Sequence, residues 1–188
     1  MLSGVVLVLL LFISIRIAEQ PVSYDGAMNL QVAEHLASGG GYARPYHGIR
    51  PFPHEIQTNA PYVLLAALVF ALGGVGLFTA QLPNLIYLAF ACVVAAAAFR
   101  KDSLREPWPW LAALAVLVTP GLLDWGMNAY GELPALTWWL LGTVVLLGRP
   151  VTAPRIALAG GCLGLAMITK TVMLLPVACT LALSLIHI

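Results

Sequence analysis

Charged residues are scarce in this sequence, and the scarcity excludes several classes of protein. Only 9% of the 188 residues are Asp, Glu, Lys or Arg, whereas soluble domains carry about 25%. Hydrophobic residues make up 61%, and the mean hydropathy is +0.92. Because so few polar groups cannot cover a water-exposed surface, the composition predicts a chain solvated by lipid. The net charge of +1 offers no basic face for nucleic acid, and no nucleic-acid partner is expected.

Cysteine is rare too, and its placement argues against a disulfide framework or a zinc site. Cys92, Cys162 and Cys179 lie inside apolar runs and form no CxxC pair. His47 and His54 are seven residues apart in a Pro-rich loop, which is poor spacing for zinc ligands. The sequence also lacks a Gly-rich phosphate loop and a Ser-His-Asp pattern. We interpret the cysteines as small hydrophobic side chains.

Long apolar runs dominate instead, and they predict an all-α integral membrane protein. Segment 1–18 is expected to be a first span rather than a signal peptide, because no basic region precedes it and no cleavage site follows. Residues 19–58 form the long polar loop, and 59–76, broken by Pro and Gly, is expected to be a juxtamembrane or re-entrant helix. The further expected spans are 77–99, 108–123, 133–148 and 156–176. Since the chain ends in an apolar run, we expect a truncated part of one larger domain.

The basic residues orient these spans. They cluster in "FRKDSLREP" and in "GRPVTAPR", and the positive-inside rule places both segments on the cytoplasmic side. The tip of the hairpin between them, "LLDWGMNAYGELP", then faces outward. If 59–76 does not cross the membrane, the 19–58 loop lies on the same outer face. The two acidic loops are therefore expected to share one side.

The first of these loops contains a predicted surface helix, in "VSYDGAMNLQVAEHLASGGGY". The helix is expected to open at Asp25, to end at glycines 39–41 and to lie along the membrane surface. Its apolar stripe recurs every four residues: Met28, Val32 and Leu36. Asp25 and Asn29 are four residues apart, so they share a face. Asp25 is either a helix cap or an acid that takes part in chemistry.

The second loop holds more polar residues than a hairpin of about ten residues needs. They are Asp124, Trp125, Asn128, Tyr130 and Glu132. Glu132 precedes Pro134, where a helix is expected to begin, so it also has a capping interpretation. Together, Asp25 and Glu132 could supply a general base or hold a divalent cation such as Mg or Mn. The sequence leaves these roles open.

Basic residues near the outer face are candidates for binding an anion. Lys170 follows Arg155 by fifteen residues, which places it ~22 Å across a ~30 Å hydrocarbon core. A lysine within a span marks a functional site by default, although it could also snorkel for solubility alone. Arg44, Arg50 and Glu55 suit a phosphate or a sugar, and the arginines suit lipid headgroups equally well.

In their order and spacing these segments resemble the N-terminal half of GT-C fold glycosyltransferases. The similar group is the dolichyl-phosphate-mannose protein mannosyltransferase-like superfamily, which includes the aminoarabinose lipid A transferases. The resemblance covers nearly the whole chain. It rests on "SYDGAMNLQVAEHLASGGGY", "PFPHEIQTNAPYVLLAALVFALGG", "NAYGELPALTWWLLG" and "GLAMITK". It implies a polytopic helical bundle of GT-C type, with a juxtamembrane helix in the first outer loop.

The resemblance also implies a function. Members move a sugar from a polyprenyl-phosphate donor to a lipid, glycan or protein acceptor. For this chain the implied location is the outer face of a bacterial or archaeal plasma membrane. Asp25 matches the first-loop acid, proposed as base or metal ligand, Glu132 the second-loop acid, and Lys170 the lysine near the donor phosphate. The further candidate substrate-binding residues are Asn29, Arg44, Arg50, Glu55, Asn128 and Tyr130.

The sequence departs from the family pattern at three points. Asp25 is followed by Gly26 where many relatives have a second acid. Leu133 separates Glu132 from Pro134, and "QTNAPY" lacks the basic residue of the aminoarabinose enzymes. Metal dependence and substrate therefore stay open. The alternatives are a transporter or flippase without glycosyl transfer activity, and another lipid-dependent enzyme such as an O-antigen ligase or an acyltransferase.

Overall fold

The computed structural model describes residues 2–18, 20–46, 50–52, 60–100, 107–148 and 150–187. Within these ranges the regular structure is helical apart from one short antiparallel hairpin, in which Pro45 pairs with Pro51. A single 3₁₀ turn, Thr171–Met173, joins the last two helices. The elements are α1 Leu2–Ala18, α2 Tyr24–Ala37, β1 Arg44–Tyr46, β2 Arg50–Phe52, α3 Ala60–Gly73, α4 Leu77–Phe99, α5 Trp108–Val118, α6 Pro120–Met127, α7 Glu132–Leu146, α8 Ala153–Thr169 and α9 Leu174–His187.

One helix of the described residues is long and apolar enough to cross a membrane. This helix is α4, which has 23 residues and coincides with the expected span 77–99. The other apolar helices in the same part of the chain have 10–17 residues, whereas a span needs about 20. The described part of the chain is therefore helical, but its helix lengths leave the multi-pass topology a prediction.

The helices differ from the expected segments in two places. The expected span 108–123 is divided between α5 and α6, because Thr119 is extended and Pro120 follows it. A residue before proline avoids the helical region, and proline lacks the N–H that would continue the helix. The expected span 156–176 is interrupted at Lys170, whose backbone is extended at φ −145° and ψ 123°. Lys170 therefore lies at a break between α8 and α9.

Helix α2 also begins and packs differently from its sequence pattern. It starts at Tyr24, and its buried residues are Gly26, Asn29, Leu30, Val32 and Ala33. Of the expected stripe, Val32 is buried, whereas Met28 and Leu36 are only half-buried. The small residues on the buried side allow α2 to pack closely against α3. The predicted end is confirmed, since Gly39 follows the helix with φ 83°, a conformation that favours glycine.

Helix α4 lies at the centre of the packing and contacts α3, α5 and α7. Helices α7 and α8 form an antiparallel pair. At one end of this pair, Arg155 Nη2 donates a hydrogen bond of 3.3 Å to the carbonyl of Val145. About one turn from Val145, Gly142 lies against Leu163. The antiparallel arrangement brings the start of α7 and the end of α8 together at the opposite end.

A buried polar chain fixes α3 and the α1–α2 connection to α4. The Tyr62 hydroxyl donates to Asn84 Oδ1 at 2.9 Å, and Asn84 Nδ2 donates to Gln81 Oε1 at 2.8 Å. Gln81 Nε2 donates in turn to the carbonyl of Gln20 at 3.1 Å. All three side chains are buried, and a satisfied buried network of this kind restricts a core to one arrangement.

Candidate functional site

The two polar loops that the sequence places on one face contact each other. Ser23 Oγ donates a hydrogen bond of 3.1 Å to the carbonyl of Asn128. Asn29 Nδ2 donates one of 2.9 Å to the carbonyl of Ala129. Gly26 lies in α2, between Ser23 and Asn29 in the sequence, and a Cβ added there would overlap the Asn128 carbonyl oxygen. The first turn of α2 therefore docks directly on the loop that leads into α7.

The backbone of that loop takes an uncommon path. Ala129 is fully buried and has φ 57°, and Gly131 has φ 81°. A non-glycine residue in this left-handed region costs about 1–2 kcal/mol, and such strain concentrates at functional sites. Asn128 Nδ2 stabilises the turn by donating to the Asp124 carboxylate at 2.8 Å. The turn aims the chain so that Glu132 is the first residue of α7.

Glu132 and Lys170 form an ion pair between α7 and the break after α8. Lys170 Nζ lies 2.9 Å from Glu132 Oε1, and the two side chains are 17% and 27% exposed, respectively. Charged groups that are largely removed from water interact more strongly than groups on the surface. The structure thus brings together two of the three residues that the sequence motifs single out most strongly.

A small apolar cluster supports the pair. Ala135, Ala166 and Met173 pack together, with Trp138 and Trp139 partly buried against them. Each of the first three lies about one turn from a charged residue: Ala135 follows Glu132 by three positions, and Ala166 and Met173 flank Lys170. The cluster thus packs the first turn of α7 against the residues on either side of Lys170. The geometry of the pair therefore follows from helix packing.

The second oxygen of Glu132 is the least satisfied polar atom of the pair. Oε2 is buried and accepts no hydrogen bond from any residue that the structure describes. A buried carboxylate oxygen without a donor is costly. Because the atom is also closed to solvent, the Glu132 side chain must turn before Oε2 can meet a donor from outside the protein.

Asp25 lies on the neighbouring helix and is not its cap. The N-cap of α2 is Ser23, whose hydroxyl accepts the Gly26 N–H at 3.2 Å. Asp25 occupies the first turn, where its negative charge interacts favourably with the positive end of the helix dipole. Its side chain is exposed, and its carboxylate has no hydrogen bond within the described ranges. Asp25 is thus an accessible acid close to the contact between the two loops.

The other candidate residues occupy varied environments. Asn29 is 2% exposed and holds α2 against Ala129. Asn128 is half-buried and bonded to Asp124, and Arg44 is 5% exposed in β1. Tyr130 is half-buried in the loop before α7. The side chain of Arg50 and all of Glu55, like His47 and His54, lie outside the described residues.

The described residues were also considered as ligands for a divalent cation. Among the residues that the structure describes, no group of three or more His, Cys, Asp or Glu side chains lies close enough to hold a metal ion. One oxygen of Glu132 is already engaged by the Lys170 ammonium, which repels a dication. The Mg or Mn site considered at Asp25 and Glu132 stays a prediction, to which the described residues add no further ligand.

Of the residues that join the two loops, Asn29 and Asn128 were candidates from the sequence, whereas Ser23, Gly26 and Ala129 were not. Ser23 has a recognisable signal, because a serine just before a predicted helix favours the N-cap position. Gly26 interrupts the helical pattern directly after Asp25, and an isolated glycine in a helix often marks close packing. The left-handed conformation of Ala129 has no sequence signal, because alanine rarely adopts it.

Comparison of the chain with protein-family models, with curated proteins and with solved structures gives no match.

Proposed function

We propose that this chain belongs to a membrane glycosyltransferase of GT-C type. It moves a sugar from a polyprenyl-phosphate donor to a lipid, glycan or protein acceptor on the extracytoplasmic face. The observation that carries the proposal is the ion pair between Glu132 and Lys170. The sequence motifs singled out both residues, and the fold places them 2.9 Å apart beside a strained loop.

The proposed reaction needs the two groups that this site contains. An acceptor hydroxyl attacks the anomeric carbon, and polyprenyl phosphate leaves. A carboxylate is needed to take the hydroxyl proton, and a cation is needed to offset the charge that develops on the phosphate. Glu132 suits the first role as a carboxylate that is largely removed from water, once its side chain turns toward the acceptor, and Lys170 suits the second. Asp25, exposed in the first turn of α2, is proposed as a second acid that orients the acceptor.

The proposed membrane arrangement assigns α4 as a crossing helix and α3 as the juxtamembrane helix. The assignment of α3 follows from the resemblance, because its fourteen residues are nearly as many as the fifteen of α7 and length alone does not separate the two. The end of the α7–α8 pair that carries Glu132 lies opposite the end that carries Arg155. This separation supports an outer acidic face and an inner basic face. A lipid-linked donor would then reach the site laterally from the bilayer.

The test uses the full-length protein in membranes and a panel of radiolabelled polyprenyl-phosphate sugars. Transfer of label from the lipid is measured for the wild type, Glu132→Gln and Lys170→Met. Loss of a positioned acid–base group lowers turnover by about 10²- to 10⁴-fold, and loss of a group that stabilises developing charge lowers it by about 10²- to 10³-fold. Both variants are therefore expected to lose at least about 10²-fold. The matched control is Glu34→Gln, an exposed acid of α2, which should retain wild-type turnover. Turnover that survives Glu132→Gln would contradict the assigned site.

The helix break at Lys170 favours one alternative function, that of a transporter or flippase. Transporters place polar residues on discontinuous helices near the bilayer midplane, and Lys170 lies between α8 and α9. Absence of turnover with every donor, combined with movement of a fluorescent lipid-linked sugar between vesicle leaflets, would establish this alternative. Movement that accompanies label transfer would instead favour the transferase.

A further inference from the structure

The cation proposed to bind the donor phosphate is already engaged inside the protein. Lys170 Nζ contacts Glu132 Oε1 at 2.9 Å, and the ammonium thereby offsets part of the carboxylate charge. A phosphate that approaches Lys170 must compete with this internal carboxylate.

On the basis of the function proposed above, we propose that the Glu132–Lys170 pair is an autoinhibitory contact that the donor phosphate opens. The phosphate takes the place of Glu132 on Lys170. Glu132 can then turn toward the acceptor, whereas in the paired state Oε1 is engaged by Lys170 and Oε2 is buried. Acceptor activation therefore depends on a bound donor, and the donor binds first.

The step balances in atoms and electrons. The acceptor O–H bond breaks, its proton passes to Glu132, and its oxygen forms a bond to the anomeric carbon. The bond from that carbon to the phosphate oxygen breaks, and its electron pair leaves with the phosphate, which Lys170 holds. No oxidant, reductant or further reactant is required.

The placement of the two residues supports a pair that opens through side-chain rotation. Glu132 is the first residue of α7, directly after Gly131 in the left-handed region, and Lys170 is an extended residue between two helices. Both residues thus lie at helix ends, where neighbouring turns of the same helix crowd a side chain less than they do in the middle of a helix. The cluster of Ala135, Ala166 and Met173 fixes the neighbouring backbone, so only the two side chains need to separate.

The test is the affinity of the full-length protein, in lipid nanodiscs, for unlabelled polyprenyl monophosphate. Removal of the internal competitor in Glu132→Gln is expected to lower Kd by about two- to tenfold, the range that follows from the strength of ion pairs of limited exposure. Lys170→Met is expected to raise Kd, and Glu34→Gln to leave it unchanged. Should Glu132→Gln fail to fold, Glu132→Asp is the second variant. Its side chain is shorter by one methylene group, so its carboxylate competes less well for Lys170, and Kd is again expected to fall.

Two further probes identify the source of the phosphate. Inorganic phosphate and phosphatidic acid are titrated against the wild type and Glu132→Gln under the same conditions. A gain in affinity confined to polyprenyl monophosphate supports release by the donor. An equal gain for all three probes would overturn donor-specific release, because any phosphate would then open the pair.

The failures of the two proposals are distinguishable. If Glu132→Gln binds polyprenyl phosphate as the wild type does, or more weakly, the autoinhibitory contact is overturned, and label transfer by the wild type would still support the transferase. If the wild type neither binds polyprenyl phosphate nor transfers label, both proposals fail.

Discussion

The hydroxyl of Ser23 donates a hydrogen bond of 3.1 Å to the carbonyl of Asn128, which lies 105 positions later in the chain. The bond from Asn29 to Ala129 runs beside it, so α2 holds two consecutive carbonyls of the loop that leads into α7. Glu132 follows that loop directly. A change on the buried side of α2 is therefore expected to alter the position of Glu132.

Gly26→Ala tests this connection. A Cβ at position 26 would overlap the Asn128 carbonyl and lie 2.6 Å from Val22 Cγ1, so α2 or the loop must move. Overpacking of this kind typically costs about 1–3 kcal/mol, and the better helix propensity of alanine offsets at most about 1 kcal/mol. We expect a lower midpoint of thermal unfolding, measured by circular dichroism in detergent, and reduced label transfer.

The control is Gly121→Ala. Gly121 also lies in the first turn of a helix, α6, and a Cβ there meets nothing within 4 Å. This variant should match or exceed the wild-type unfolding midpoint. An equal effect of the two substitutions would mean that contact with Asn128 does not determine the stability at Gly26.

The Glu132–Lys170 pair should be detectable as an energetic coupling in a double-mutant cycle. Glu132→Gln leaves a largely buried ammonium without its partner, and Lys170→Met leaves a carboxylate without any partner in the described chain. Each single change is expected to lower the free energy of unfolding by about 1–3 kcal/mol. The double variant should lose less than the sum, with a coupling of about 0.5–3 kcal/mol. Chemical denaturation of the four proteins measures it.

Strictly additive single variants would argue against the pair as a stabilising contact. Glu34→Gln combined with Lys170→Met supplies the reference cycle, because Glu34 is an exposed acid on α2 and its cycle should show no coupling.

Hydropathy and local signals predicted the parts of the fold that depend on short-range physics. The bounds of α4 follow from its apolar length, and the end of α2 follows from the glycines after it. The pairing of Glu132 with Lys170 was not predicted as a contact, although both residues were identified from their positions in the polar loop and in an apolar run.

Long-range packing determined what the sequence could not indicate. The buried side of α2 follows Gly26, Asn29 and Ala33 rather than the most apolar stripe, because a close approach to neighbouring elements favours small residues there. The break at Lys170 interrupts a continuous apolar run and has no proline or glycine beside it. Tertiary contacts override local propensity at both places.

Tyr62→Phe is expected to destabilise the junction between α3 and α4. The substitution removes the hydroxyl that donates to Asn84 Oδ1 at 2.9 Å and leaves a buried amide oxygen with one donor fewer. The loss of a buried partner typically costs about 1–3 kcal/mol. Tyr24→Phe is the control, because Tyr24 is exposed and its change should fall within about 0.5 kcal/mol of the wild type. Equal unfolding free energies of the two variants would contradict a structural role for the Tyr62 hydroxyl.

Gly142→Ala tests whether the close approach of α7 and α8 positions the ion pair. A Cβ at Gly142 would lie 2.8 Å from Leu163 Cγ and 3.1 Å from the Ala159 carbonyl oxygen, so the helices must separate or Leu163 must repack. We expect a lower unfolding midpoint together with a smaller coupling between Glu132 and Lys170 in the double-mutant cycle. Gly164→Ala on α8, where a Cβ meets nothing within 4 Å, should change neither. If Gly142→Ala lowers the midpoint but leaves the coupling intact, the pair is positioned by the cluster of Ala135, Ala166 and Met173 rather than by the spacing of the two helices.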